Sequence, residues 1–188
     1  LTVDQLSLTF GGVQAIAELS LEVRPGEVLA VIGPNGAGKT SLLNAVTRVF
    51  DPSGGQIHFK GQDLTQMQRH QIATLGIART FQNIELFEAA TVLYNLLRGR
   101  HRFFQGHWWQ QVLRTPALTR LEEAAHAEVE KIIDFLDLTP WRHAPIAGLP
   151  YGVRKVVELG RALCAQPELL FLDEPASGLN PEETRELA

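Results

Sequence analysis

The stretch Gly33-Pro34-Asn35-Gly36-Ala37-Gly38-Lys39-Thr40 constrains the fold of this chain more than any other segment. It fits the pattern G-x-x-x-x-G-K-[ST], in which a glycine-rich loop joins a strand to a helix. The flanks agree. Val28 to Ile32 is apolar throughout, as expected of a central strand covered on both faces, and Ser41 to Val49 is compatible with a helix. Glycines here let successive backbone N–H groups turn inward and form a concave anion site. The helix that follows aims its positive dipole end at the same point. The expected contacts to nucleotide phosphates therefore run through Gly33, Pro34, Asn35, Gly36, Ala37, Gly38, Lys39, Thr40 and Ser41. Lys39 would reach the β- and γ-phosphates, and the Thr40 hydroxyl would ligate Mg²⁺. The competing reading is a glycine-rich turn with a surface lysine; the strand before the loop weighs against it.

Leu6, Leu8 and Phe10 alternate with polar residues, as do Leu19, Leu21 and Val23, and then Ile57 and Phe59. This period of two predicts half-buried strands, and hence an antiparallel β layer in the opening third. Thr65 and Gln68 suggest a capping box, with Gly76 as the stop of a short helix. Ile77 to Phe81 reads as a second buried strand. Helical character follows from Thr91 to Thr139, where Leu121, Ala125, Val129, Ile132, Ile133 and Leu136 form one apolar stripe. Val153 to Ala165 predicts another helix. The layout expected is an α/β core interrupted by a helical insert and then resumed.

With 188 residues the chain can build one substantial core, or one core and a small subdomain. The net charge of −4 lacks the basic excess of a nucleic-acid footprint, so no nucleic acid is expected as partner. The single cysteine, Cys164, cannot form an internal disulfide, and the chain reads as living in a reducing compartment. It lies in an apolar helix-like run and reads as a small buried hydrophobe. No apolar run approaches the ~20 residues that span a bilayer, and the first residues do not resemble a signal peptide. No direct membrane span is expected; membrane association would go through a partner.

Leu169-Leu170-Phe171-Leu172-Asp173-Glu174 is an apolar strand that ends in two acids. Ligands of open α/β sheets collect at this C-terminal strand edge. Asp173 is the expected Mg²⁺ carboxylate, and Glu174 the expected general base for an attacking water.

At these two motifs the chain resembles the ATP-binding subunits of ABC transporters, over essentially its whole length. The resemblance implies a P-loop NTPase (RecA-like) fold with a parallel-sheet core, an antiparallel β layer and an inserted helical subdomain. The implied divisions are a first core part over 1–82, a helical subdomain over 83–154 and a second core part over 155–188. Gln82, after Arg79-Thr80-Phe81, matches the glutamine that links the γ-phosphate and Mg²⁺ to the membrane subunit. Phe10, before Gly11-Gly12, matches the aromatic that stacks on adenine. Leu149-Pro150-Tyr151-Gly152-Val153 falls where the family carries Leu-Ser-Gly-Gly-Gln; Leu149 and Gly152 are kept. Pro150 has neither the serine hydroxyl nor an N–H, so Tyr151 and Gly152 at the helix N-terminus would carry the phosphate contact. Ser177-Gly178-Leu179-Asn180 sits at the dimer-contact loop, with Asn180 where Asp is usual. The family's γ-phosphate histidine has no counterpart, because all six histidines precede Asp173. Leu1 is not an initiator methionine, and Ala188 falls inside a helix begun by Asn180 and Pro181. The expectation is of a truncated chain that binds nucleotide better than it hydrolyses it.

The insert from Arg98 to Thr119, the Tyr151-Gly152 signature and the run Gly178 to Thr184 resemble the ATPases of branched-chain, or other hydrophobic, amino-acid importers. That implies a second ATP-binding subunit and transmembrane permease subunits as partners, at the cytoplasmic face of the inner membrane. Asn83 to Phe87 would receive the permease. The aromatic-basic group Phe103, Phe104, Trp108 and Trp109 among Arg100, His101, Arg102 and His107 fits either a lipid or permease contact or an insert folded onto its own subdomain. Two further readings stay open: a soluble ABC-type ATPase acting on DNA or ribosomes, and a small-molecule kinase using the same loop.

Overall fold

The computed structural model describes residues 1–80, 84–103, 116–175 and 177–178. The chain divides into two compact units, Leu1–Leu75 and Gly76–Ala188.

In the first unit, β1 (Thr2–Phe10) pairs antiparallel with β2 (Val13–Glu22) on one edge and β3 (Gly54–Phe59) on the other; β3 continues to β4 (Gln62–Asp63). The sheet order is β2-β1-β3-β4. The alternation in the sequence maps onto it: Val3, Leu6, Leu8, Ile57 and Phe59 are buried. The pairing of β1 with β2 slips between Val3 and Leu6 and again beyond. Gln5 and Glu18 take positive φ at these irregularities. Helix α1 (Lys39–Val46) buries Leu42, Ala45 and Val46.

Two expectations for this unit are corrected. Val28 to Ile32 forms no ladder, and its side chains are open: Val28 is 96% and Ile32 91% exposed. An apolar run demands burial but carries no instruction about which strand will pair with it, and strand stability lies in cross-strand pairs. The cap at Thr65 is also displaced. A one-turn 3-10 segment (Leu64–Gln66) starts at Asp63, whose carboxylate accepts from the Thr65 N–H (2.8 Å) and hydroxyl (2.5 Å). The hydrogen bond from Thr65 holds the Asp63 carboxyl below its usual range. The helix proper, α2 (Arg69–Thr74), begins later. Gly76, at φ +85°, does end this region.

In the second unit, β5 (Ile77–Arg79) and β6 (Leu169–Phe171) pair in parallel, with Ile77 opposite Leu169 and Arg79 opposite Phe171. Helices α3 (Val92–Gly99), α4 (Pro116–Phe135) and α5 (Tyr151–Cys164) complete it. Val92, Leu96, Val129, Ile133, Ile146 and Val157 form a common core. The predicted stripe on α4 holds at Ala125, Val129 and Ile133, whereas Leu121 is half exposed. Gly160 is required where helices approach: a Cβ there would lie 2.9 Å from both Leu136 and Leu96 side chains. Cys164 is buried, and burial pushes its thiol up from 9.0 to about 12 against the opposing pull of Arg100. It is the inert hydrophobe expected.

Candidate functional site

The loop from Gly33 to Gly38 is held by its own backbone and by Lys39. The Ala37 N–H donates to the Pro34 carbonyl at 3.2 Å. The Lys39 ammonium donates to the carbonyls of Gly33 (2.8 Å) and Pro34 (3.0 Å), so the side chain folds back over the loop it follows. Gly36 and Gly38 have φ of +83° and +86°, a region that L side chains rarely adopt. Gly38 is doubly constrained, because a Cβ would sit 2.6 Å from the Ala15 carbonyl oxygen of β2. Gly38 is also the N-cap of α1 and supplies no side-chain acceptor. The first N–H groups of α1 therefore find no capping side chain there, the arrangement that receives phosphate. Thr40 and Ser41 lie in the first turn.

Phe10 ends β1 and is partly exposed; its ring meets Phe50 edge-on at 4.8 Å. A half-open aromatic fixed by a second ring is suited to stacking.

In the second unit Asp173 follows β6 and is buried, 4% exposed. Its carboxylate takes the Arg79 guanidinium at 2.7 Å, in a pair whose side chains are 4% and 6% exposed. Its N–H donates to the Thr80 hydroxyl at 3.3 Å, while the Thr80 N–H donates to the Phe171 carbonyl at 2.9 Å. Glu174 has φ +48°, and its carbonyl accepts from the Ser177 N–H at 2.9 Å. A non-glycine residue held there costs on the order of 1–3 kcal/mol, the kind of local strain that clusters at functional sites.

Tyr151 and Gly152 open α5 behind Pro150, which offers no cap. Gly152 is buried and Tyr151 is 45% exposed. A Cβ at Gly178 (φ +80°) would lie 3.0 Å from the Tyr151 ring, so the structure brings the start of α5 against the turn after Asp173. The Lys155 ammonium stands 5.9 Å from the same ring centroid. Gln82, Phe104, His107, Trp108, Trp109, Leu179 and Asn180 lie outside the described residues.

Two residues were not singled out in the sequence. Arg79 pairs with Asp173 across 94 positions, and no local pattern marks it. Asn95, fully buried on α3, accepts from the Phe87 N–H (2.8 Å) and donates to the carbonyls of Phe87 (3.2 Å) and Thr91 (3.0 Å). It secures the segment after Gln82; a polar residue in an apolar helical stripe was the available signal. Beside that segment lies a cleft of about 180 Å³ lined by Ile84, Leu86, Glu88, Ile146, Tyr151 and Arg154.

Among the described residues no cluster of three or more His, Cys, Asp or Glu side chains could hold a metal. Mg²⁺ needs few protein ligands, because it keeps waters and phosphate oxygens as its others, and Asp173 offers one carboxylate at the end of β6. No helix among the described residues is long and apolar enough to cross a membrane.

The family pattern for ABC transporter matches residues 16–177. Over 187 residues the chain is 39% identical to the high-affinity branched-chain amino acid transport ATP-binding protein LivG of Salmonella typhimurium, covering 100% of this chain and 73% of that protein. Identity to the corresponding protein BraF of Pseudomonas aeruginosa is 37%, with the same coverage. Among solved structures, the ADP conformation of an ATP-binding cassette of an ABC transporter superposes with TM-score 0.82 at 30% identity, covering 99% of this chain and 72% of that one. With a nucleotide-binding loop of the form described and this likeness along its whole length, the chain belongs to the ABC transporter family, as an ATP-binding cassette with the α/β P-loop fold.

Proposed function

We propose that the chain is the ATP-binding and hydrolysing motor subunit of an importer for branched-chain or other hydrophobic amino acids. The observation that carries this reading is the Gly33–Thr40 loop, with its two left-handed glycines and back-folded Lys39, in a chain matched along its whole length by LivG and BraF. Nothing in the comparisons favours an ATPase acting on DNA or ribosomes.

ATP enters with its phosphates against the N–H groups of the loop and the start of α1. Lys39 leaves the Gly33 and Pro34 carbonyls for the β- and γ-phosphates, so one set of ammonium hydrogen bonds replaces another. Phe10 stacks on the adenine. Thr40, Gln82 and Asp173 are the residues that would hold Mg²⁺, which supplies charge neutralisation at the phosphate oxygens. Glu174 takes the proton of the attacking water, and its constrained backbone keeps the carboxylate at one place. Two such subunits close head to tail, each presenting the Leu149–Val153 segment to the partner's phosphate loop. Pro150 can donate nothing there, so the Gly152 N–H and the N-terminus of α5 carry that contact. Closure excludes water and strengthens every charge interaction within. Release of phosphate removes the bridging contacts and the pair opens. A permease helix would dock in the cleft beside Ile84, Leu86 and Glu88, and a subunit held by its permease in this way would work at the cytoplasmic face of the membrane.

Glu174→Gln separates binding from hydrolysis. We expect unchanged ATP affinity, hydrolysis slowed at least a hundredfold, and a dimer that persists in ATP on size-exclusion chromatography. Hydrolysis at the parent rate would remove Glu174 from the mechanism. Lys39→Ala loses charge-assisted hydrogen bonds of ~1.5–3 kcal/mol, so affinity for a fluorescent ADP analogue should fall roughly 10- to 100-fold. Unchanged affinity would sink the phosphate-loop assignment.

A further inference from the structure

The end of β5 holds Asp173 twice. Arg79 engages its carboxylate at 2.7 Å, and the next residue, Thr80, takes its backbone N–H at 3.3 Å. Thr80 is itself tied to β6 through the Phe171 carbonyl at 2.9 Å. Both Arg79 and Asp173 are almost wholly removed from water, with side chains 6% and 4% exposed. Charges so placed are weakly screened, so each strongly governs what further charge the other tolerates.

We propose that Arg79 is a positioning residue that keeps divalent cations off the Asp173 carboxylate until nucleotide phosphates are present. This rests on the reading of Asp173 as the Mg²⁺ carboxylate. The guanidinium already offsets the carboxylate charge, so a dication arriving alone meets a fixed positive charge next to the oxygen it seeks. A metal arriving with a nucleotide brings the phosphate anions that offset that charge. Arg79 thereby makes metal and nucleotide bind together, each raising the other's affinity, as reciprocal linkage requires. Its planar donor fork also fixes the direction of the carboxylate.

The test titrates Mn²⁺, as a paramagnetic substitute for Mg²⁺, by electron paramagnetic resonance with and without ADP. The Asp173-dependent part is read as the difference from Asp173→Asn. In the parent chain that part is weak with Mn²⁺ alone and tight with Mn²⁺ and ADP. Arg79→Gln is expected to tighten binding of Mn²⁺ alone at least tenfold and to shrink the gain that ADP brings. Arg79→Lys, which keeps the charge, is expected to restore weak binding of Mn²⁺ alone. If Arg79→Gln binds Mn²⁺ alone no better than the parent, while Asp173→Asn still weakens Mn²⁺–ADP binding, the role of Arg79 is wrong and the Asp173 reading stands. If Asp173→Asn leaves Mn²⁺–ADP binding at the parent level, both fall. Should Arg79→Gln fail to fold, the parent chain decides through its arginine side-chain ¹⁵N resonances, with Arg79 assigned by Arg79→Lys. The Arg79 signal must move when Mg²⁺ and ADP are added together and stay with either alone; any other pattern overturns the proposal.

Discussion

On the proposed reading, the phosphate loop and the tip of β6 are two answers to the same problem, holding a highly charged ligand. The loop does it with backbone. Its donors are N–H groups of consecutive residues, and its one charged side chain, Lys39, rests on loop carbonyls five and six residues away. The Asp173 tip does it with buried side chains, an acid and a base drawn from positions 94 apart. The loop is sensitive to conformation and steric room, because Gly38 must stay left-handed under the Ala15 carbonyl. The tip is sensitive to charge, because removing one member of a buried ion pair leaves the other's charge less well compensated.

That contrast sets the order of expected effects. The largest is Arg79→Met, which takes the guanidinium from the buried Asp173 carboxylate and should cost up to about 3–5 kcal/mol of stability. Urea unfolding read by tryptophan fluorescence reports on this unit, because Trp108, Trp109 and Trp141 all fall within Gly76–Ala188. The double change Arg79→Met with Asp173→Leu should recover most of the loss. A double variant as unstable as the single one would break the argument that charge dominates the tip.

Gly38→Ala comes next. Strain at φ +86° costs on the order of 1–3 kcal/mol, the 2.6 Å approach to Ala15 adds to it, and ADP binding should be lost. Gly36→Ala should cost less, about 1–2 kcal/mol, because beyond its chain neighbours nothing lies within 4 Å of its would-be Cβ. Equal effects at the two glycines, in thermal melts and ADP titrations, would show that the close approach to β2 is unimportant.

The smallest effect is one of pH. Burial raises the Cys164 thiol from 9.0 to about 12. The folded state thus favours the protonated thiol. Its contribution to stability is full below about pH 9 and is lost as pH rises toward 12. In native protein at pH 8, Ellman's reagent should leave Cys164 untouched until denaturant is added. Rapid reaction without denaturant would show that the core of the second unit opens readily.

The amino-acid sequence by itself determined whatever depends on neighbours along the chain. The loop and its helix, the alternating strands around Leu6, Leu8 and Ile57, the buried stripe of α4 and the acid at the end of β6 each follow from a period or a short pattern. Local geometry makes these legible, since turn conformation and amphipathic spacing are set within a few residues. Tertiary structure alone decided what long-range pairing controls. It left Val28 to Ile32 without a ladder, moved the cap from Thr65 to Asp63, placed Asn95 under the Phe87 segment and set Arg79 against Asp173. The physical reason is that burial and charge compensation belong to whichever groups the fold brings within a few ångströms, and separation along the chain carries no record of that distance.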